Sequence, residues 1–134
     1  MATKIFVNLP VQNLGKSIQF FKGLGYTFNQ QFTDNSAACM VISNDIYAML
    51  ITNDKFTQFT YKNIVDAKKS TEVLVCLSAE TRNNVDELLE KALNGGAIEY
   101  RDPQDYGFMY GRSFEDPDGH IWEIMWMDPA SINS

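Results

Sequence analysis

The chain has 134 residues, of which 45% are hydrophobic and 21% are charged, and its formal net charge is −6. These values are typical of one soluble globular unit that is large enough to bury a core without disulfides or metal. The acidic balance and the scattered Lys and Arg residues argue against a basic patch, so we predict neither nucleic acid nor membrane as a partner.

No apolar segment reaches transmembrane length, and the first ten residues lack the charged-then-apolar pattern of a signal peptide. Cys39 and Cys76 fall inside predicted strands, and their spacing matches no metal-binding motif. Both are therefore predicted to be reduced thiols rather than disulfide or zinc ligands. We expect a cytoplasmic protein.

The first half of the chain predicts one strand, one helix and three further strands. The first strand spans residues 3–10, and its alternation puts Phe6 and Asn8 on one face. Asn13 can cap a helix that runs to about Lys22, because apolar residues then recur at helical spacing. Strands follow at residues 26–32, 37–43 and 46–52, separated by hairpin-like turns.

The second half repeats that order after a polar connector. Residues 53–70 lose the apolar alternation, apart from one predicted helical turn near residues 55–59. A strand at 72–79 precedes Thr81, which can cap a helix that ends at Gly95 and Gly96. The last strands are predicted at 97–101, 106–114 and 120–127.

The duplicated order predicts an α+β fold of two βαβββ modules in a single domain. Module one covers about residues 3–52 and module two about 71–127, joined by the connector at 53–70. Two such half-open curled sheets, placed side by side, would form a central groove, and grooves of this kind bind small molecules.

The closing strand carries one carboxylate, Glu123, among strongly apolar neighbours. A charged side chain there is costly unless it is paired, protonated, bound to metal or exposed to a cavity. Glu123 is therefore a candidate catalytic residue, as a general acid or base. The alternative is an edge strand whose Glu123 simply faces water. Trp122 and Trp126 alternate away from it and are expected to pack under a helix.

The duplicated order, the start FVNLPVQNLGKSIQFFKGLGYTF and the ending FEDPDGHIWEIMW together resemble the vicinal oxygen chelate superfamily. This superfamily includes glyoxalases, bleomycin-resistance proteins, fosfomycin-resistance enzymes and extradiol dioxygenases. The resemblance covers essentially the whole chain, but it does not select one activity within the superfamily.

The resemblance implies a divalent metal held by four side chains, one from the first and one from the last strand of each module. Glu123 matches the last of these positions. The other three fall on Phe6, Leu74 and either Leu50 or Met49, which are apolar, so no cofactor is predicted. The alternative is a metal held by a set shifted by two residues, with Asn8, Glu72 and Glu123 as ligands.

Without metal, the groove becomes an apolar and aromatic ligand pocket around Glu123. The strand at 106–114 adds a face on which Arg112 either pairs with Glu123 or binds an anionic ligand, or else lies on the outer surface. His120 is expected to be exposed at the start of the last strand. The predicted pocket consists of Phe6, Asn8, Leu50, Leu74, Phe108, Tyr110, Arg112 and Met125.

The preferred function is a metal-independent small-molecule binder of the glyoxalase and bleomycin-resistance type. The resemblance implies a homodimer, since acidic dimers of that type sequester cationic, aromatic drugs. One alternative is a divalent-metal-dependent lyase, transferase or dioxygenase of the same superfamily. Another is an interaction module with a vestigial pocket.

Overall fold

The computed structural model describes residues 2–132, and these form two compact units. The first unit extends to Val65 and the second begins at Asp66. Each unit contains one open β-sheet and helices, so the predicted α+β class is confirmed. The single domain and the central groove remain predictions.

Unit 1 contains four strands and two helices. In chain order these are β1 (Ile5–Val11), α1 (Leu14–Gly23), β2 (Thr27–Asn29), β3 (Ala37–Val41), β4 (Ile46–Thr52) and the short α2 (Asn53–Phe56). The strand order in the sheet is β1-β4-β3-β2, with β1 parallel to β4 and the other pairs antiparallel. As predicted, Asn13 caps α1, since its side chain accepts a hydrogen bond from the backbone N–H of Lys16 at 3.0 Å.

One face of the sheet in unit 1 forms the core with α1. Phe21 of the helix is buried, as are Leu9, Ala48 and Leu50 of the strands. The opposite face, the open face of unit 1, carries the alternate residues of β1 and β4. Those residues are Phe6, Asn8, Tyr47 and Met49.

Unit 2 repeats the strand order of unit 1. Its elements are β5 (Val75–Ser78), α3 (Arg82–Asn94), β6 (Ile98–Glu99), β7 (Gln104–Asp105), β8 (Met109–Glu115), β9 (Ile121–Met127) and α4 (Pro129–Ile132). The sheet order is β5-β9-β8-β6, β5 is parallel to β9, and β7 pairs with β8. In both units the first strand therefore pairs in parallel with the last, as an internal duplication predicts.

The helix α3 covers one face of the sheet in unit 2. Its residues Val85 and Leu89 are fully buried, as are Phe114, Trp122 and Ile124 of the strands. Thr81 caps the helix as predicted, since its hydroxyl accepts a hydrogen bond from the N–H of Asn84 at 3.0 Å. The other face, called here the open face of unit 2, carries the alternate residues Cys76, Ser113, Glu123 and Met125.

Several predicted strands are shorter than expected; the strand predicted at 97–101 is only Ile98–Glu99, and in two others polar side chains bind the backbone within the predicted range. The strand at 26–32 ends at Asn29, whose side chain accepts a hydrogen bond from the N–H of Gln31 and begins a 3₁₀ turn. The strand at 106–114 is two elements, β7 and β8. Gly107 turns the chain between them with a φ of 81°, while Asp105 accepts a hydrogen bond from its N–H.

The connector contains the predicted helical turn, formed by α2 and a following 3₁₀ turn at Thr57–Phe59. The strand predicted at 72–79 begins only at Val75. Within residues 2–132, every helix is too short or too polar to cross a lipid bilayer.

Candidate functional site

Glu123 lies at the centre of β9 on the open face of unit 2. Its register partners are Cys76 on β5 and Ser113 on β8. Its chain neighbours Trp122 and Ile124 are fully buried on the opposite face, whereas Glu123 is half-buried. The predicted alternation of Trp122 and Glu123 is thus confirmed.

A tight turn sets the start of β9. The carboxylate of Asp116 accepts hydrogen bonds from the backbone N–H groups of Asp118 (2.9 Å) and His120 (3.0 Å) and from the indole Nε1 of Trp122 (2.9 Å). Burial raises the pKa of Asp116, although His120 and the indole hydrogen bond oppose that shift. His120 is half-buried rather than exposed as predicted, because its backbone closes this turn.

Gly119 allows the turn to approach the chain before β5. Its φ is 92°, and a Cβ atom there would lie 2.7 Å from the backbone nitrogen of Lys68. Only glycine tolerates both the positive φ and the close approach. The turn is therefore fixed from two sides, by the Asp116 carboxylate and by the neighbouring backbone.

Glu123 lines a shallow depression on the surface of unit 2. The space is about 320 Å³, counted with the part that is open to solvent. Among the described residues, the side chain of Glu123 forms no hydrogen bond or ion pair. The lining residues are Arg101, Asp102, Gln104, Met109, Gly111, Arg112, Ser113, Glu123, Ile124 and Met125.

The segment between β6 and β8 forms one wall of this depression. In the amide orientation that turns the side-chain oxygen of Gln104 towards Arg101, this oxygen accepts a hydrogen bond from the guanidinium. An ion pair between Arg82 of α3 and Asp105 of β7 joins this segment to the helix. The guanidinium of Arg82 also lies 4.5 Å from the ring centroid of Tyr110, a cation–π contact.

Arg112 was expected to face Glu123 if its strand face pointed inward, but its guanidinium lies on the helix-covered face. On β8, Arg112 pairs in register with Ile124, and Ser113 pairs with Glu123. Its guanidinium donates hydrogen bonds to Asp86 of α3 (2.9 Å) and to Glu99 of β6 (3.1 Å). Burial works against this charge, but the hydrogen bonds to Glu99 and Asp86 outweigh it and hold the pKa above its ordinary value. Arg112 therefore joins the helix to the sheet.

The aromatic pocket residues predicted from this strand, like Arg112, lie apart from Glu123. Tyr110 donates a hydrogen bond from its hydroxyl to Asp86 at 2.6 Å. Phe108 precedes β8, is 51% exposed and has its ring centroid 6.4 Å from that of Tyr106. Of the predicted pocket residues in unit 2, Arg112 and Met125 both line the depression, and of these two Met125 lies on the face of Glu123.

On unit 1 the open face carries an aromatic pair. Phe6 stacks on Tyr47 with ring centroids 4.7 Å apart and an interplanar angle of 10°. The predicted pocket residue Asn8 is on the same face, in register with Met49. Leu50, by contrast, is fully buried on the face that α1 covers. Met49, the alternative to Leu50 in the sequence, takes the open-face position.

Leu74 and Glu72 lie before β5, outside the sheet. Leu74 is 53% exposed.

Several residues that line the depression or adjoin Glu123 in register were not predicted from the sequence. Period-2 alternation could have indicated the members on β5 and β8, once these strands were paired with β9, but not those in the segment between β6 and β8. The residues that were not predicted are Cys76, Arg101, Asp102, Gln104, Met109, Gly111 and Ser113.

The donor atoms present do not fit the divalent metal that the resemblance implies. Among residues 2–132, no three His, Cys, Asp or Glu side chains lie close enough to hold one ion. In unit 1 the open-face positions carry Phe6 and Met49, and in unit 2 Glu123 has the Cys76 thiol as its register partner on β5. Burial and then the charge of Glu123 raise the pKa of that thiol.

Comparison with known proteins places this fold among solved relatives. Residues 3–43 match a family model described as bleomycin resistance protein-like N-terminal. The structure of hypothetical protein SA1046 from S. aureus is similar, with a TM-score of 0.79 and 28% identity over 94% of each chain. Among curated proteins, none matches the chain significantly.

Two further structures share the fold at lower identity. A glyoxalase/bleomycin resistance protein/dioxygenase family enzyme from Burkholderia phytofirmans PsJN has a TM-score of 0.76 and 15% identity, over 94% of this chain and 99% of that one. Fosfomycin resistance protein FosX from Mesorhizobium loti has a TM-score of 0.72 and 12% identity, over 100% and 99%. The chain thus matches a bleomycin resistance protein-like family over its N-terminal part and shares the fold of solved glyoxalase/bleomycin resistance/dioxygenase and FosX proteins.

Proposed function

We propose that this protein binds an organic small molecule without a metal ion, in the manner of the bleomycin-resistance branch of its superfamily. The observation that carries the proposal is the composition of the open faces. Glu123 is half-buried without a hydrogen bond or ion pair to any described residue, and it shares its depression with two methionines, Ser113, Gln104, Gly111, Ile124 and the charged residues Arg101, Asp102 and Arg112. Such a lining suits an organic ligand better than a hard or borderline cation, which needs several oxygen or nitrogen donors.

The open face of unit 1 supports the same proposal. Phe6 is 51% exposed, although it is a large aromatic residue, and its ring is parallel to that of Tyr47. Exposed and stacked rings offer a flat apolar surface to a planar ligand. The ε-ammonium of Lys4 lies 5.6 Å from the ring centroid of Tyr47, so a cation already contacts this aromatic pair.

The proposal is tested by metal analysis of protein purified without a chelator, followed by a ligand screen. We expect far less than one divalent ion per chain and no change in melting temperature after treatment with EDTA. A thermal-shift screen of aromatic compounds should then identify stabilising ligands. A ligand at 100 times its dissociation constant adds about 2.7 kcal/mol to the free energy of unfolding. A Phe6→Ala variant and the matched surface variant Phe59→Ala would show whether the aromatic pair contributes.

One divalent ion per chain, lost together with stability on chelation, would contradict the proposal. It would favour the alternative, a metal-dependent lyase, transferase or dioxygenase of the same superfamily. If neither metal nor any compound binds, an interaction module with a vestigial pocket becomes the better description. A homodimer in the cytoplasm completes the proposal, and sedimentation equilibrium tests the dimer directly.

A further inference from the structure

We propose that Glu123 is the counter-ion for a protonated amine of the ligand, at the position where the superfamily resemblance implies a metal-binding carboxylate. This inference rests on the proposed function and names the chemical class of the ligand. It follows from the mismatch between the implied metal site and the donor atoms that surround Glu123.

The first step is the state of the carboxylate itself. Glu123 is half-buried, and its side chain forms no hydrogen bond or ion pair with any described residue. An ionised carboxylate is an acceptor only, and its partial removal from water costs free energy unless a donor approaches it. A ligand that covers the depression must therefore supply hydrogen-bond donors, and a positively charged donor adds Coulomb attraction to the hydrogen bond.

The second step is the lining around Glu123. Ser113 is its register partner on β8, so the serine hydroxyl can accept a further N–H of an ammonium group. Met125 follows two residues later on the same face, and Met109 also lines the depression. Gly111, the register partner of Met125, has no side chain and leaves room beside that thioether. Flexible thioethers adapt to apolar groups of different shapes, so they suit the body of such a ligand.

The third step concerns the other charges that line the depression. Arg112 is neutralised by Asp86 and Glu99 on the other face of the sheet, so it does not offset Glu123. Arg101 and Asp102 also line the depression at exposed positions, and neither forms an ion pair with another described residue. Apart from Arg112, the lining therefore carries two carboxylates, those of Glu123 and Asp102, and one guanidinium, that of Arg101. This excess of negative charge disfavours an anionic ligand and is complementary to an amine with an apolar body.

The test uses matched probes that differ in one functional group. The amines 2-phenylethylamine and tryptamine are compared with the alcohols 2-phenylethanol and tryptophol, and binding is followed by titration of the backbone amide NMR signals of Cys76, Gly111 and Met125. We expect each amine to bind roughly tenfold more tightly than its alcohol, a difference of about 1.4 kcal/mol. Glu123→Gln should remove this preference. Glu90→Gln, which makes the same charge change on the exposed surface of α3, should keep it.

The outcomes separate this inference from the proposed function. Equal binding of amines and alcohols, unchanged in Glu123→Gln, overturns the role of Glu123 but leaves a metal-free binding protein. If neither series shifts those amide signals, the inference also fails, and the wider ligand screen decides the proposed function by itself. Glu123→Asp provides a second variant if Glu123→Gln does not fold. The shorter side chain keeps the charge and should keep the preference for amines.

Discussion

Cys76 and Glu123 are register partners on the parallel strands β5 and β9, and both side chains lie on the open face of unit 2. Burial raises the pKa of the Cys76 thiol, and the negative charge of Glu123 raises it further. The thiol is exposed, whereas the other cysteine, Cys39, is buried. Cys76 is therefore a built-in reporter of the charge at Glu123, and it works without a ligand.

Replacing Glu123 by Gln should lower the pKa of Cys76, because a neutral neighbour no longer opposes formation of the thiolate. The thiolate is the reactive form, so alkylation of Cys76 by iodoacetamide should become faster at a fixed neutral pH. The rates are measured by mass spectrometry of the Cys76 peptide across neutral and alkaline pH. Glu90→Gln is the control and should leave the profile unchanged. An identical profile for Glu123→Gln would mean that the carboxylate does not act on the thiol.

Replacing Arg112 by Met should destabilise unit 2 by roughly 1–3 kcal/mol, because the variant leaves Asp86 and Glu99 without their shared partner. The side chain of Arg112 is only 16% exposed, but its partners are more exposed, which limits the loss. Urea unfolding measures the effect. Lys69→Met, at an exposed position outside the depression, is the control and should cost no more than about 0.5 kcal/mol. Unchanged stability together with lost ligand binding would instead assign Arg112 to the binding site.

Replacing Gly119 by Ala should destabilise the protein by more than the same change at Gly96. Both glycines have a positive φ, 92° and 103°, so both substitutions incur backbone strain on the order of 1 kcal/mol. A Cβ atom at Gly119 would also clash with the backbone of Ala67 and Lys68, while nothing lies within 4 Å of one at Gly96. Thermal unfolding of the two variants gives the comparison. Equal losses would show that the backbone around Lys68 can move away.

The stability of unit 2 should fall in acid partly because of Asp86. The hydrogen bond from the hydroxyl of Tyr110, followed by that from Arg112, holds the pKa of Asp86 below its ordinary value. As the pH falls, the unfolded chain binds this proton first, so the contribution is present above the unfolded pKa of about 3.9 and is lost below it. Urea unfolding from about pH 6 to about pH 3 should therefore show that the free energy of unfolding declines less steeply for Asp86→Asn than for the unsubstituted protein.

Tyr110→Phe provides the matched background for that acid titration, because it removes the hydroxyl donor that acts most strongly on Asp86. In the Tyr110→Phe background, Asp86→Asn should have a smaller effect on how steeply the free energy of unfolding declines as the pH falls. A difference of the same size in both backgrounds would show that the hydroxyl does not hold the carboxylate in its charged form.

The sequence predicted best where side-chain chemistry is local. The caps at Asn13 and Thr81 and the bounds of β4 follow from nearby residues and agree with the structure. The face of Glu123 could also be predicted, because Trp122 and Ile124 on either side are too large and apolar to remain exposed.

The face of the sheet on which Leu50 lies was not predictable. The residues of β4 up to Ile51 are almost all apolar, so the sequence shows no alternation of polar and apolar residues there. The face on which Arg112 lies depends on how β8 pairs with β9, and the turn at Gly107 shifts the residue at which β8 begins. Such pairing joins residues that are distant in the chain, and a single sequence does not record it. The depression around Glu123, built from both strands and the segment before β8, was missed for the same reason.

The hydrogen bond between Asp116 and the indole of Trp122 favours one register of β9. A slip of β9 by a single residue would turn every side chain of the strand to the opposite face. It would bring the indole to the surface and bury the carboxylate of Glu123 under α3. By holding Trp122 on the buried side, Asp116 selects against that misregistered strand, so one acidic residue at the turn determines the orientation of another along the strand.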